Sequence, residues 1–168
     1  MFWLVMTGRS APGTPRPSVI EGLLIYASKG ELDRALADFN RALEINPRDA
    51  FTYINRGNVY NATGDLNQAI ADFSRALQIN PRYAEAYNGR GASYGMKGDL
   101  ERSIADFTRA LEINPKFPTA WFNKGLSCER AGRKAEAREA YQNFIRYAPS
   151  QQAAKINHAQ KRIRALSR

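Results

Sequence analysis

Ala37–Pro47 reads ADFNRALEINP, Ala71–Pro81 reads ADFSRALQINP and Ala105–Pro115 reads ADFTRALEINP. The three stretches begin 34 residues apart and differ at only two positions. A fixed period of this length signals a stacked-repeat architecture, in which one supersecondary unit recurs. Pro149 continues the series, and Ala140, Tyr141, Phe144 and Ile145 keep its frame. Four units fit without a gap, at 16–49, 50–83, 84–117 and 118–151, leaving 1–15 before them and 152–168 after.

Each unit reads as two helices. In the second, Tyr53, Gly57 and Tyr60 recur at helical spacing. Gly64 ends that helix, since glycine takes the left-handed cap conformation without a side-chain penalty. Asp65 is expected to cap the next helix, with Gln68 completing a capping box. Ala69, Phe73, Ala76 and Leu77 form the second helix's apolar stripe, and Pro81 stops it. The same punctuation is expected at Gly30, Gly98 and Gly132.

With Tyr53, Gly57, Tyr60, Ala69, Phe73, Ala76 and Pro81 in place, the second unit resembles the tetratricopeptide repeat. Tyr87, Gly91, Tyr94, Phe107, Ala110 and Pro115 carry the likeness in the third unit. Trp121, Gly125, Ala137, Tyr141 and Pro149 carry it in the fourth. The resemblance implies an all-α, right-handed solenoid of antiparallel helix pairs. A pair cannot bury its apolar face alone, so neighbouring units must stack. Glycines and alanines are expected where helices approach closely, with aromatic rings filling the spaces between pairs.

Some residues depart from the family pattern. Arg56, Arg90 and Lys124 stand where the family usually has leucine, Ser103 replaces a small alanine, and Cys128 replaces the second aromatic. The first unit is the weakest, with Val19 for the aromatic and Leu23 for the glycine, although Pro17 can open its first helix. Asp38–Arg41, Asp72–Arg75 and Asp106–Arg109 are three apart and are expected to pair on the helix surface, at ~0.2–0.5 kcal/mol each.

The ends differ from the middle. Met1–Met6 is apolar but shorter than a secretory signal's core and has no basic residue ahead of it. Residues 1–15 are expected to be irregular, with Pro12 and Pro15 among them. In the tail, Ala153, Ile156, Ala159, Ile163 and Leu166 give one apolar face, opposite Lys155, Lys161, Arg162 and Arg164. That is the pattern of a helix that closes a solenoid's last core layer.

The chain carries 25 Lys+Arg against 16 Asp+Glu, a net +9. Residues 118–168 hold 11 of the basic residues and 3 of the acidic ones. A basic end can meet nucleic acid or an anionic membrane. The tail has no aromatic residue to stack on a base, so neither is the expected partner. No apolar run approaches the ~18 residues of a membrane span, and a soluble, cytoplasmic protein is the favoured reading. One cysteine closes no intramolecular disulfide, and with one histidine makes a poor metal cage. Cys128 is expected to be a buried, inert thiol. No nucleophile setting or phosphate-cradling glycine loop is present. The expectation is a non-catalytic protein with no cofactor.

Function is then expected in the groove, because the resemblance implies that the first helix of each unit lines a concave face that takes extended peptides or helices. The groove offsets fall on Ile20, Glu21 and Leu24; on Phe51, Ile54, Asn55, Asn58 and Asn61; on Glu85, Asn88, Gly89, Ala92 and Gly95; and on Thr119, Phe122, Asn123, Leu126 and Glu129. The amides of Asn55, Asn58, Asn88 and Asn123 are candidates for gripping a ligand backbone, since each has a donor and an acceptor. Phe51, Ile54, Phe122 and Leu126 are expected as exposed apolar contacts. Gly89, Ala92 and Gly95 would leave the middle low. Related co-chaperones grip a C-terminal carboxylate with lysine, asparagine and arginine on three successive units. At those positions only Asn55 matches in one register and only Asn58 in the next, which argues against that ligand. The alternative is self-assembly through the imperfect first unit and the apolar N-terminus.

Overall fold

The computed structural model describes residues 29–167, all of whose regular structure is helical. The helices are α1 (Lys29–Ile45), α2 (Ala50–Thr63), α3 (Leu66–Ile79), α4 (Ala84–Lys97), α5 (Leu100–Ile113), α6 (Pro118–Arg130), α7 (Lys134–Tyr147) and, after a 3-10 turn at Ser150–Gln152, α8 (Ala153–Leu166). Each packs on the next, giving an all-α solenoid. The first helix expected within 16–49 lies outside the described residues, as does Met1–Met6.

Gly64, Gly98 and Gly132 have φ of 88°, 86° and 75°. Only glycine enters this left-handed region without strain, so these residues reverse the chain between the helices of a pair. Gly30 does not: it sits in the first turn of α1. Asparagine precedes proline at the other turns for a local reason. The Oδ1 atoms of Asn46, Asn80 and Asn114 accept the backbone N–H groups of Arg48, Arg82 and Lys116 at 3.2, 3.0 and 3.1 Å. Asp99 caps α5 by accepting from the Arg102 N–H. The capping box expected at Asp65 does not form, because Asp65 instead accepts from the Thr63 hydroxyl.

Phe73, Phe107 and Tyr141 are completely buried or nearly so and occupy one register, 34 apart. Each ring lies against a glycine of its own unit. A Cβ built on Gly57 would stand 3.1 Å from Phe73, on Gly91 3.0 Å from Phe107, and on Gly125 2.6 Å from Tyr141. Phe73 also meets the next unit, for a Cβ on Gly89 would lie 2.4 Å from its ring.

The charged pairs differ from the sequence expectation. Asp72 is bound bidentately by Arg56, whose Nε and Nη2 donate at 2.7 Å each. Asp106 is bound likewise by Arg90, at 2.8 and 2.9 Å. Arg75 and Arg109 turn to Gln78 and Glu112 instead. The remaining Nη1 of Arg56 donates to Asn40, and that of Arg90 to Ser74. Each arginine therefore ties the two helices of its own unit and reaches back to the unit before. These are planar fork contacts that lysine cannot reproduce. In the fourth unit Lys124 faces no such acid, since Ala140 holds the aspartate's place, and its ammonium lies over the Trp121 ring.

The 3-10 turn changes how the last helix sits. Ala86 and Ala120 are fully buried on α4 and α6, yet Ala154, next in that series, is exposed. α8 instead turns Ile156, Ala159, Ile163 and Leu166 onto the core around Tyr141 and Phe144; Ala153 is exposed. Arg162 Nε donates to Glu129 at 3.0 Å, and Glu129 also accepts from the Tyr141 hydroxyl at 2.9 Å.

Candidate ligand-binding groove

α2, α4 and α6 approach one another directly, while the outer helices α3, α5 and α7 do not pack on each other along their lengths. The row of closer helices is the inner face of the stack, along which the expected groove residues of α2, α4 and α6 lie.

Many of the inner polar groups are used between helices. Asn61 Nδ2 donates to the Gly89 carbonyl at 3.3 Å, and Ser93 Oγ donates to Asn61 Oδ1 at 2.7 Å, joining α2 to α4. Asn123 Nδ2 donates to Asn88 Oδ1 at 3.3 Å, and Arg130 Nη1 donates to the Gly95 carbonyl at 2.8 Å, joining α4 to α6. A donor or acceptor already engaged has less to offer a ligand. Arg130 carried no signal in the sequence, being one of many exposed cations. Its partner is a backbone carbonyl 35 residues away.

The structure places the expected site residues unequally. Phe51 is 43% exposed, but Ile54 is 6% exposed and belongs to the core around Phe73. Phe122 and Leu126 are half-buried against the α8 core. Phe122 meets Phe144 at 5.0 Å and His158 at 5.9 Å between ring centroids. The expectation of four exposed apolar contacts is therefore corrected to one, Phe51. α8 supplies the cover for Phe122, and the stacked unit supplies it for Ile54. Asn88 is buried and engaged, and Asn123 and Ala92 are half-buried. Asn55 is 8% exposed and Asn58 half-buried; neither side chain makes a hydrogen bond within the described residues. Gly89 and Gly95 do not leave a depression, because Phe73 fills the first space and Ser103 and Ser127 border the second.

Among the described residues no group of His, Cys, Asp or Glu is arranged to hold a metal ion. Burial pushes the Cys128 thiol up to about 11 and the Tyr141 phenol up to about 12. Cys128 is thus a neutral, enclosed thiol at pH 7. No described helix is long and apolar enough to cross a membrane.

These features define a helical-repeat solenoid with an amide-lined inner face. Family models described as TPR repeat match residues 24–63 and 57–98, and models described as tetratricopeptide repeat match 84–117 and 118–151. The chain belongs to the tetratricopeptide repeat family. Solved structures share the fold. A crystal structure of MamA superposes with a TM-score of 0.68 at 21% identity, covering 90% of this chain and 94% of that one. The Arabidopsis OM64 TPR domain gives 0.64 at 23%, covering 69% and 94%. The first TPR domain of Spaghetti (RPAP3), bound to the HSP90 peptide SRMEEVD, gives 0.65 at 19%, covering 71% and 94%. No curated protein matches in sequence.

Proposed function

We propose that the protein is a non-catalytic interaction scaffold that takes an extended peptide along α2, α4 and α6. The carrying observation is that the amides of Asn55 and Asn58, one helical turn apart on α2, make no hydrogen bond among the described residues and lie on the helix that carries the exposed Phe51. An asparagine amide can both donate to and accept from a peptide backbone, whatever its side chains. Asn88, Ala92, Asn123 and Leu126 continue the wall, with Ile54 and Phe122 beneath it as support.

The groove's charge selects among ligands. None of the groove offsets from Phe51 to Glu129 is lysine or arginine, and Glu129 is neutralised by Arg162. An acidic tail such as the one bound to the RPAP3 domain finds no cation at the clamp positions here, so a neutral or basic segment with an apolar side chain for Phe51 fits better. An extended chain covers ~3.3–3.6 Å per residue, so three units engage on the order of 8–15 residues. Backbone hydrogen bonds contribute only ~0.5–1.5 kcal/mol each, which makes micromolar affinity, about −8 kcal/mol, the expectation.

The test is selection from a displayed library of random peptides of about twelve residues, followed by calorimetry on a recovered peptide. Asn55→Ala with Asn58→Ala should weaken binding at least tenfold and leave the melting temperature within a few degrees. Unchanged affinity refutes the groove reading.

A second reading, self-assembly, is favoured by one residue. Ile45 is 81% exposed, whereas Ile79 and Ile113 in the same register are half-buried against core clusters that Tyr83 and Phe117 also join. The aromatic's place after Ile45 is held by Asp49. Sedimentation at several concentrations, with Ile45→Lys as the control, tests it: a species that stays monomeric throughout rejects this reading.

A further inference from the structure

We propose that the exposed basic residues of α7 and α8 form a second docking surface, and that it receives an acidic polypeptide segment. Charge is segregated along the solenoid. Residues 29–117 carry 12 basic and 12 acidic residues, whereas 118–168 carry 11 and 3. The few acids in the last part are mostly consumed. Glu129 is held by Arg162 and Tyr141, and Glu136 lies 3.7 Å from Arg133, which also pairs with Glu101. Lys134, Arg138 and Arg146 on α7, and Lys161 and Arg164 on α8, are exposed and form no ion pair within the described residues. Only Glu139 remains as an exposed carboxylate among them without a cation partner.

Cations this numerous on one end repel one another, and the stability of the end falls with each addition. Cap duty alone does not require them, because neutral polar residues close a solenoid equally well.

The chemistry of the face selects the kind of anion. The large apolar residues of α8, Ile156, Ile163 and Leu166, are turned inward onto the core of Phe144 and Tyr141, which leaves only alanines exposed to a bilayer. Among the described residues after 117 no Phe, Tyr or Trp is exposed, and the exposed His158 ring lies edge-on to Phe122, so the face offers little for a base to stack on. What the face offers is guanidinium and ammonium groups, paired one helical turn apart at Lys134 and Arg138 and again at Lys161 and Arg164. Such neighbours stand ~5–6 Å apart at Cβ. Guanidinium matches the planar carboxylate with two parallel hydrogen bonds. A run of glutamates or aspartates is therefore the partner that this face fits.

The probe is a fluorescein-labelled peptide of about ten glutamates, titrated with the full chain and read by anisotropy near physiological ionic strength, where the Debye length is ~8 Å. Arg138→Gln with Lys161→Gln and Arg164→Gln should weaken binding at least tenfold. Arg41→Gln with Arg48→Gln and Arg82→Gln removes the same charge from the neutral part and should change it less than twofold. Circular dichroism on both variants separates lost binding from lost folding; should the first triple unfold, the single substitution Arg164→Gln replaces it, with at least a threefold loss expected. Equal losses in both triples would mean that net charge and not this face attracts the peptide, which overturns the proposal. A short DNA duplex and phosphatidylserine vesicles are measured in parallel. Tighter binding of either, abolished by the first triple, would assign the face to nucleic acid or lipid and also overturn it.

Discussion

Replacing Arg90 by leucine restores the residue that the repeat family usually carries, and by sequence it is a conservative repair. The structure forecasts the opposite. Asp106 is 7% exposed and holds both oxygens against the Arg90 guanidinium. Arg90→Leu leaves that carboxylate buried without its counterion and also releases Ser74. Removing one member of a buried pair costs ~3–5 kcal/mol. The Arg90 side chain is 22% exposed, and water reaching the site lowers this to roughly 2–3 kcal/mol. Against a total stability of ~5–15 kcal/mol that is a large loss, worth roughly 5–10 °C in melting temperature for a chain of this length. Arg90→Leu with Asp106→Ala imitates the fourth unit, where Ala140 occupies the aspartate's place, and should recover most of the loss. Replacing a buried pair by apolar residues is often neutral or stabilising. Urea unfolding of the two single variants and the double gives the coupling energy directly, and a value above about 1.5 kcal/mol is expected. Single variants that each lose under 0.5 kcal/mol, with an additive double, would show that the pair is ornamental and that Asp106 is solvated.

Gly89→Ala should destabilise more than Gly91→Ala, although only Gly91 belongs to the repeat signature, because its Cβ would meet the buried Phe73 ring at 2.4 Å. Overpacking of this kind costs ~1–3 kcal/mol; equal melting temperatures for the two variants would contradict it. Deleting Gln152–Arg168 uncovers Phe122, Tyr141 and Phe144 and removes the Arg162–Glu129 pair. Lower stability and concentration-dependent association by light scattering are expected, and an equally stable monomer would show that α8 is not a cap. Cys128 and Tyr141 both have folded-state pKa values above their ordinary ones, at about 11 and about 12. Their contribution to stability is present in full below the unfolded values near ~8.5 and ~10 and is lost as pH rises through the folded ones. The melting temperature should therefore hold to pH ~8.5 and fall between there and pH ~12. Native Cys128 should resist iodoacetamide at pH 8 and react once the chain is unfolded in urea. Rapid native alkylation would refute its burial.

Several features were legible in the chain because they are local and recur. The left-handed glycines at 64, 98 and 132, the Asn-Pro turns and the buried ring at 73, 107 and 141 each depend on a few neighbouring residues, and each is written more than once at a spacing of 34. The exposure of Phe51 was also readable, from its offset in a helix rather than from recurrence. Only the tertiary structure settled the features that require two distant segments to meet. Asp72 lies three residues from Arg75 and 16 from Arg56, and sequence spacing favours the nearer partner. The bidentate fork and the shelter of the helix interface decide for the farther one. By sequence Gly89 reads as a gap in the inner face; in the structure Phe73 of the preceding unit fills it. By side-chain chemistry the asparagines are equivalent, each amide having the same donor and acceptor capacity. Contacts about 30 residues apart commit Asn61, Asn88 and Asn123 to holding adjacent helices together, whereas Asn55 and Asn58 make no side-chain hydrogen bond among the described residues. Whether an amide serves the ligand or the fold depends on which neighbour reaches it first, and that is decided by packing rather than by periodicity.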